Sequence, residues 1–599
     1  MIPLNRATKL RLRRNLRQRQ KQVENATLVA EVQFEKRFIG RLEKLRAVRR
    51  FVGAWVLLLV VLIFLVATQT IGLSQYYLER GPIAGGVFNE GMVGTYSNAN
   101  PIYAVGAVDT SVSRLLFSGL FKYDDSNRLV GDLAENYTVD ESGKLYTVHL
   151  KPGLTWHDGR ALTAKDVIFT FQTIQNADAK SPLRSSWEGV KLEALGNKTI
   201  TFQLPNALTA FPYSLTTGIL PAHILSTVPP AKLRAAEFNT TKPVGAGPFA
   251  WSALQLGTAN TSSDTATALI SLKAFNGYNG GRPKLQGLVL HTYEQADAGI
   301  AAYRKHTVEA VAGLRSVPTS LVNDRSTTVY RFNTTAAQMI FFKLSEGVLK
   351  DTTVRKALVL GADRNSLLRQ LGYPVRPVDG PLLRGQLGYD KLLGQAGYDP
   401  EQANKILTDA GWAKNQAGQR AKNGVELRFQ VVAEDTEDNR ITLRVLQKNW
   451  QALGVTMQPI WQQTAADLQG TIESHGYGAL LYGIGIGVDP DVYVYWDSSQ
   501  AGVRSSSRLN FSEYKSAVAD AALESGRTRS DAAARVTKYA AFLKAWQEDT
   551  PALGLYQPVD IYISRGTVHG LNEHTINTDA DRYYSVASWA VKSGQVPKR

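Results

Sequence analysis

From Phe51 to Leu78 the chain carries no charged side chain, and Phe51–Thr68 is an almost unbroken apolar run. Such a run, prolonged through Leu73, is long enough at about 1.5 Å per helical residue to span the hydrocarbon core of a bilayer. Ahead of it, Phe34, Phe38, Leu42, Leu45 and Val48 recur at intervals of four and three with basic residues between them. That spacing predicts one face of an amphipathic helix. Beyond it the pattern shortens. Tyr146, Val148 and Leu150 alternate with polar neighbours, as do Ile200, Phe202 and Leu204, and Val425, Leu427, Phe429 and Val431, which predicts three half-buried strands. Helices are punctuated at both ends. Asp399-Pro400 supplies an N-cap and a first-turn proline for a helix over 401–410, with Gly411 as its stop. A second helix is predicted from about Asp438 to Leu453, ending at Gly454. The polar stretch Gly257–Ala268 reads as a hairpin tip. Strand and helix signals are mixed along the whole body, so the class is mixed α/β (α+β), without the strict alternation of a barrel.

A chain of 599 residues exceeds one hydrophobic core, so at least two are expected. The net charge of +16 divides unevenly. Residues 1–50 hold 15 Lys and Arg against four acids, while the rest holds 53 against 48. The basicity belongs to a tail ahead of the apolar run. The positive-inside rule then places residues 1–50 in the cytoplasm and the body outside, with 51–73 as a transmembrane helix and 74–81 as a linker. A cleaved signal peptide has a shorter apolar region ending at a small-x-small site, and Ala67-Thr68-Gln69 is a poor one, so an uncleaved anchor is expected. The tail holds two aromatics, which argues against nucleic-acid binding. With no cysteine, disulfides, thiolate metal sites and a lipidated cysteine are excluded.

No H-E-x-x-H, G-x-S-x-G or phosphate-loop motif occurs, and His569 and His574 lack a helical ligand spacing, so neither enzyme, cofactor nor metal site is expected. Binding chemistry is more visible. Between Tyr482 and Trp496, Gly483, Gly485 and Gly487 open the backbone, Asp489 and Asp491 bring charge, and Tyr493, Tyr495 and Trp496 bring flat apolar walls with polar handles. A pocket for a varied ligand needs these residue types; so does an ordinary strand end with core aromatics.

The stretch Leu133–Val167 carries the strongest resemblance. Leu133-Ala134-Glu135, Lys151, Trp156-His157-Asp158-Gly159 and Leu162-Thr163-Ala164-Lys165-Asp166-Val167 follow in order, and Thr163 or Asp166 suits a helix cap. Pro243–Phe249, Tyr278 with Gly281–Leu285, Asp351 with Val354–Leu358 and Ala362–Arg364, and Tyr398–Pro400 with Ala410–Trp412 continue the series. Together they resemble solute-binding protein family 5, the substrate-binding proteins of peptide- and nickel-type ABC importers. The resemblance implies a two-lobed, periplasmic-binding-protein-like fold of class II. Lobe one comprises 82–334, including an extra subdomain, and a return segment 556–599; lobe two comprises 335–555. It implies a monomer that holds an oligopeptide-like or other small solute between its lobes and delivers it to an importer's permease subunits. Nickel chelates, opines and sugars are ligands of the same fold, and a sensor signalling through the tail is a further use of it. The residues expected in the pocket are Tyr96, Asn98, Asn100, Gly247, Tyr482, Asp489, Asp491, Tyr495 and Trp496. The chain departs from the family where peptide binders carry an Asp ahead of the segment matching Asp489-Pro490-Asp491, which leaves Asp489 or Asp491 as substitutes for holding a ligand's amino terminus.

Overall fold

The computed structural model describes residues 49–257, 266–505 and 508–597, together with Arg14, Lys21, Val23 and Val32. The amphipathic face over 34–48 and the tip of the polar loop within 257–268 lie outside those residues. The chain divides into a small unit, Met1–Gly81 with Ser593–Arg599, and a large one, Pro82–Lys592.

In the small unit the apolar run is one helix, Arg49–Tyr77, whose window Phe51–Thr70 is long and apolar enough to cross a membrane. Thr68 and Thr70 return their hydroxyls to carbonyls three or four residues back, so neither leaves a polar group unsatisfied. Two expected boundaries change. Residues 74–81 are not a linker, because the helix runs to Tyr77 and the strand Leu78–Ile83 follows at once. That strand pairs with Lys592–Pro597, so the end of the chain does not belong to the return segment of lobe one.

The large unit is organised by a 13-stranded sheet with the long strand Ala552–Arg565 near its middle. Its first part pairs antiparallel with Ala336–Phe342, from Phe341 opposite Ala552 to Gln338 opposite Tyr556. Its second part pairs with Thr327–Thr334, from Asn333 opposite Val559 to Thr327 opposite Arg565. The apolar side chains sort about the same point. Those from Phe88 to Phe332 and from Ile561 to Trp589 form two clusters, and those from Ala337 to Tyr556 form two others. Among the described residues the chain therefore crosses between the two lobes near Thr335 and near Gln557.

A separate four-stranded antiparallel sheet in the first lobe joins Ala134–Val139, Leu145–Leu150, Thr199–Gln203 and Lys191–Ala194. The helix Ala164–Gln175 covers it, with Phe171 stacked on Trp187 at 3.9 Å. Thr163 and Asp166 close the helix start as a reciprocal capping box. His157 is architectural: its Nδ1 accepts from Gly245 N and its Nε2 donates to Gly247 O, each at 3.1 Å. Burial holds that imidazole down to about 4.

Other local readings hold in detail. Asp399 accepts from Gln402 N and caps Pro400–Asp409, and Gly411 and Gly454 take left-handed φ of +84° and +86°. The alternation from Val425 to Val431 is not one strand. It divides at Leu427 into Val425–Glu426, paired with Arg420–Lys422, and Arg428–Glu434, paired with Thr456–Gln462.

Where the return segment meets the first lobe, Arg582 and Glu90 form an ion pair at 2.7 Å with both side chains fully buried, and Tyr583 donates to the same Glu90 oxygen at 2.8 Å. Asp560 lies beside this knot. Burial, reinforced by Asp579, pushes its carboxyl up to about 7, although Arg582 opposes the shift. An acid whose folded pKa is raised keeps its proton in the native state, so stability is intact below about pH 4 and falls as pH rises toward 7. Replacing Asp560 by Asn is expected to raise the melting temperature at pH 8 and leave it nearly unchanged at pH 4, with a gain of a few kcal/mol at most at about 1.4 kcal/mol per pKa unit. Calorimetry at the two pH values checks this; an equal shift at both would refute the titration argument.

Candidate functional site

Between the lobes lies an open cavity of about 1080 Å³. The first lobe lines it with Arg114, Tyr123, Glu188 and Tyr213, and the return segment adds Asn577, Thr578 and Asp581. The second lobe supplies the loop from Gly485 to Val494 and Arg527, and Thr335 sits at the crossing. A second cavity of about 600 Å³, with Lys144, Leu204, Phe211 and Glu524 on its walls, shares Ser186, Glu188, Leu208, Tyr493 and Arg527 with the first. It is a side branch of the cleft.

Thr335 ties the crossing to both walls. Its N–H donates to Ile576 O and its carbonyl accepts from Ile486 N, both at 2.8 Å. Its hydroxyl donates to Asn577 at 2.8 Å. The loop 485–491 is held from behind: Tyr495 Oη donates to Gly485 O at 2.9 Å and Gln386 Nε2 to Gly487 O at 2.7 Å. Of the three glycines expected to open the backbone, Gly487 has a left-handed φ of +86°, Gly485 faces open space, and Gly483, on the preceding strand, would bring a Cβ to 2.8 Å from the flexible end of Gln338.

The charges of the cleft are mostly paired. Asp489 receives two bonds from Arg535, at 2.8 and 2.6 Å, with both side chains nearly buried. Burial alone would weaken the Arg535 proton, but the two bonds to Asp489 reverse this and hold its pKa well above the ordinary value. Asp491 meets Arg527 at 3.1 Å, and burial, against the pull of Arg527, raises its carboxyl pKa. On the other wall Arg114 meets Asp581 at 3.0 Å, and Asp581 also accepts from the N–H groups of Asn577 and Thr578. Glu188 is exposed and has no cationic partner among the described residues. Tyr123 and Tyr213 stack at 6.0 Å, and burial raises both phenol pKa values.

Only Asp489 and Asp491 of the nine expected pocket residues stand on this wall, where Asp489 is paired with Arg535 and Asp491 with Arg527. The other seven are placed differently. Trp496 is fully buried between Phe341 and Trp546 in the core of the second lobe. Tyr482 and Tyr495 pack on Phe511 in the same lobe. Tyr96 lies against Trp251 and donates to Thr240 O at 3.0 Å. Asn100 is fully buried and joined to Asn239 at 2.9 Å, and Asn98 caps the turn at Asn100 N. Gly247 is buried, and a Cβ there would lie 2.6 Å from the Leu116 backbone. Tyr493 belonged to the aromatic run and does reach the cleft. Arg114, Glu188, Arg527 and Asp581 carried no local signal.

The model of the bacterial extracellular solute-binding proteins, family 5, matches residues 128–505. The chain belongs to that family. Among its relatives, the oligopeptide-binding protein AppA of Bacillus subtilis is 28% identical over 506 residues, covering 80% of this chain and 87% of AppA. The structure of that AppA in complex with a nonapeptide covers 86% of this chain and 100% of its own at a TM-score of 0.68 and 25% identity. NikZ from Campylobacter jejuni in complex with Ni(L-His) shares the fold, with a TM-score of 0.67 at 23% identity over 84% of this chain and 99% of NikZ. Family 5 members are solute-binding proteins, and the cavity between the lobes of this chain has about 1080 Å³ of room.

Proposed function

We propose that this protein captures an oligopeptide-like solute in the interlobe cleft and delivers it to the permease subunits of an ABC importer, while the helix Arg49–Tyr77 holds it to the membrane with residues 1–50 in the cytoplasm. The observation that carries this reading is the cleft. It has about 1080 Å³, is lined by both lobes and the crossing, and mixes aromatic faces with polar groups. The relatives named for oligopeptides support a peptide ligand over a nickel chelate. The two narrow crossings suit closure by a hinge.

The test is mass spectrometry of small molecules released by denaturing the purified full-length protein. Peptides are expected; a released metal chelate or sugar would replace the ligand class, and an empty cleft that no peptide pool stabilises would end the reading. Deleting residues 1–45 while keeping the helix is expected to leave uptake intact, which separates delivery from signalling through the tail.

For the anchor, alkaline carbonate washing is expected to leave the full-length chain in the membrane pellet. A soluble product with a new N-terminus near residue 70–82 would show cleavage instead.

A further inference from the structure

Arginines buried in this fold use all three guanidinium nitrogens. Arg355 donates from Nε, Nη1 and Nη2 to carbonyls and a threonine hydroxyl. Arg420, Arg535 and Arg582 likewise donate from every nitrogen. Arg527 does not. Its Nη2 meets Asp491, its Nε is buried with no partner, and its Nη1 makes no recorded bond among the described residues. A guanidinium has five N–H donors in a rigid fork, so most of this one's capacity is unused.

The residue is nevertheless held in place. Its guanidinium carbon lies 4.1 Å from the centre of the Tyr493 ring, and stacking of this kind fixes a planar cation without consuming its donors. Its carbonyl, near the end of the helix Ala517–Thr528, accepts from Thr209 N at 2.9 Å, and Thr209 Oγ1 donates to Arg529 O at 2.9 Å. Thr209 belongs to the first lobe, so apposition of the lobes sets the position of Arg527. Arg527 also stands at the junction of the cleft with its side branch.

We propose that Arg527 is an anion receptor of the cleft and takes a carboxylate of the bound peptide, either its free terminus or an acidic side chain. This deepens the peptide-binding reading and rests on it. A carboxylate suits a guanidinium and would take the N–H groups on its partly exposed side, since the buried Nε lies out of a ligand's reach. Asp491 engages one Arg527 nitrogen, and both residues border the cleft. Glu188, on the opposite lobe, borders the same two cavities and disfavours a carboxylate there, so the anion is confined to the Arg527 wall.

The experiment uses the detergent-solubilised full-length protein and two random pentapeptide pools, one with free carboxyl termini and one amidated, and counts retained peptides by mass spectrometry. Wild type is expected to retain free-carboxyl or acidic peptides over their neutral counterparts by about tenfold, the scale of a charge-assisted hydrogen bond. Arg527→Gln is expected to erase that preference while still retaining neutral peptides. Arg114→Gln, which removes the other cleft arginine, is expected to keep it. Tyr493→Leu, which removes the stacked ring, is expected to weaken it and gives a second reading should the Gln variant fail to fold. A preference that survives in Arg527→Gln, or that disappears in Arg114→Gln instead, overturns the assignment. Equal retention of both pools by wild type overturns it while leaving peptide binding intact, whereas retention of neither pool counts against peptide binding itself.

Discussion

Trp496→Ala is expected to lower the stability of the protein by about 3–5 kcal/mol, the usual cost of removing a buried tryptophan. The ring is fully buried, lies 5.6 Å from Phe341 and 5.8 Å from Trp546, and stands behind the cleft loop. Its loss opens a hole that the sheet on one side and the helix Ala532–Asp549 on the other cannot close without moving. A drop of several degrees in the melting temperature should therefore accompany any loss of solute binding. A variant that melted like wild type yet bound weakly would return Trp496 to the pocket wall, the role its place in an aromatic run suggests.

The second large effect concerns Arg535. Arg535→Ala would leave the Asp489 carboxylate nearly buried and uncompensated beneath the cleft loop, and removing one partner of such a pair typically costs about 3–5 kcal/mol. The same change also strips donors from Gly526 O and Tyr539 Oη. The double variant Asp489→Asn with Arg535→Met, which removes both charges, should recover much of the loss. Chemical denaturation of the two variants beside wild type measures this. If the single variant proved no less stable than the double one, the penalty of the unpaired carboxylate would be disproved.

These two positions also show what the sequence revealed and what it did not. Features fixed by neighbours a few residues apart were legible. The caps at Asp399 and Thr163, the stops at Gly411 and Gly454 and the apolar helix all follow from local chemistry. The family motifs extended that reading to the fold. The cleft wall was not legible, because facing solvent or core is decided by partners far along the chain. Trp496 is enclosed by residues 155 and 50 positions away, and Asp489 is neutralised by an arginine 46 positions on. An aromatic run flanked by acids looks the same whether its rings line a pocket or fill an interior. Val425–Val431 failed for a related reason: alternation records which side chains want burial but not where a short hairpin interrupts the ladder.

The strand Ala552–Arg565 has a consequence for how such a molecule diversifies. The chain enters the second lobe along Ala336–Phe342 and leaves it along the neighbouring part of that strand, with Gln338 opposite Tyr556. The second lobe is thus an insertion whose entrance and exit lie side by side. A different version could be grafted between those two joints without rerouting the remainder, which would give recombination a simple way to alter one side of the cleft while the first lobe stays unchanged.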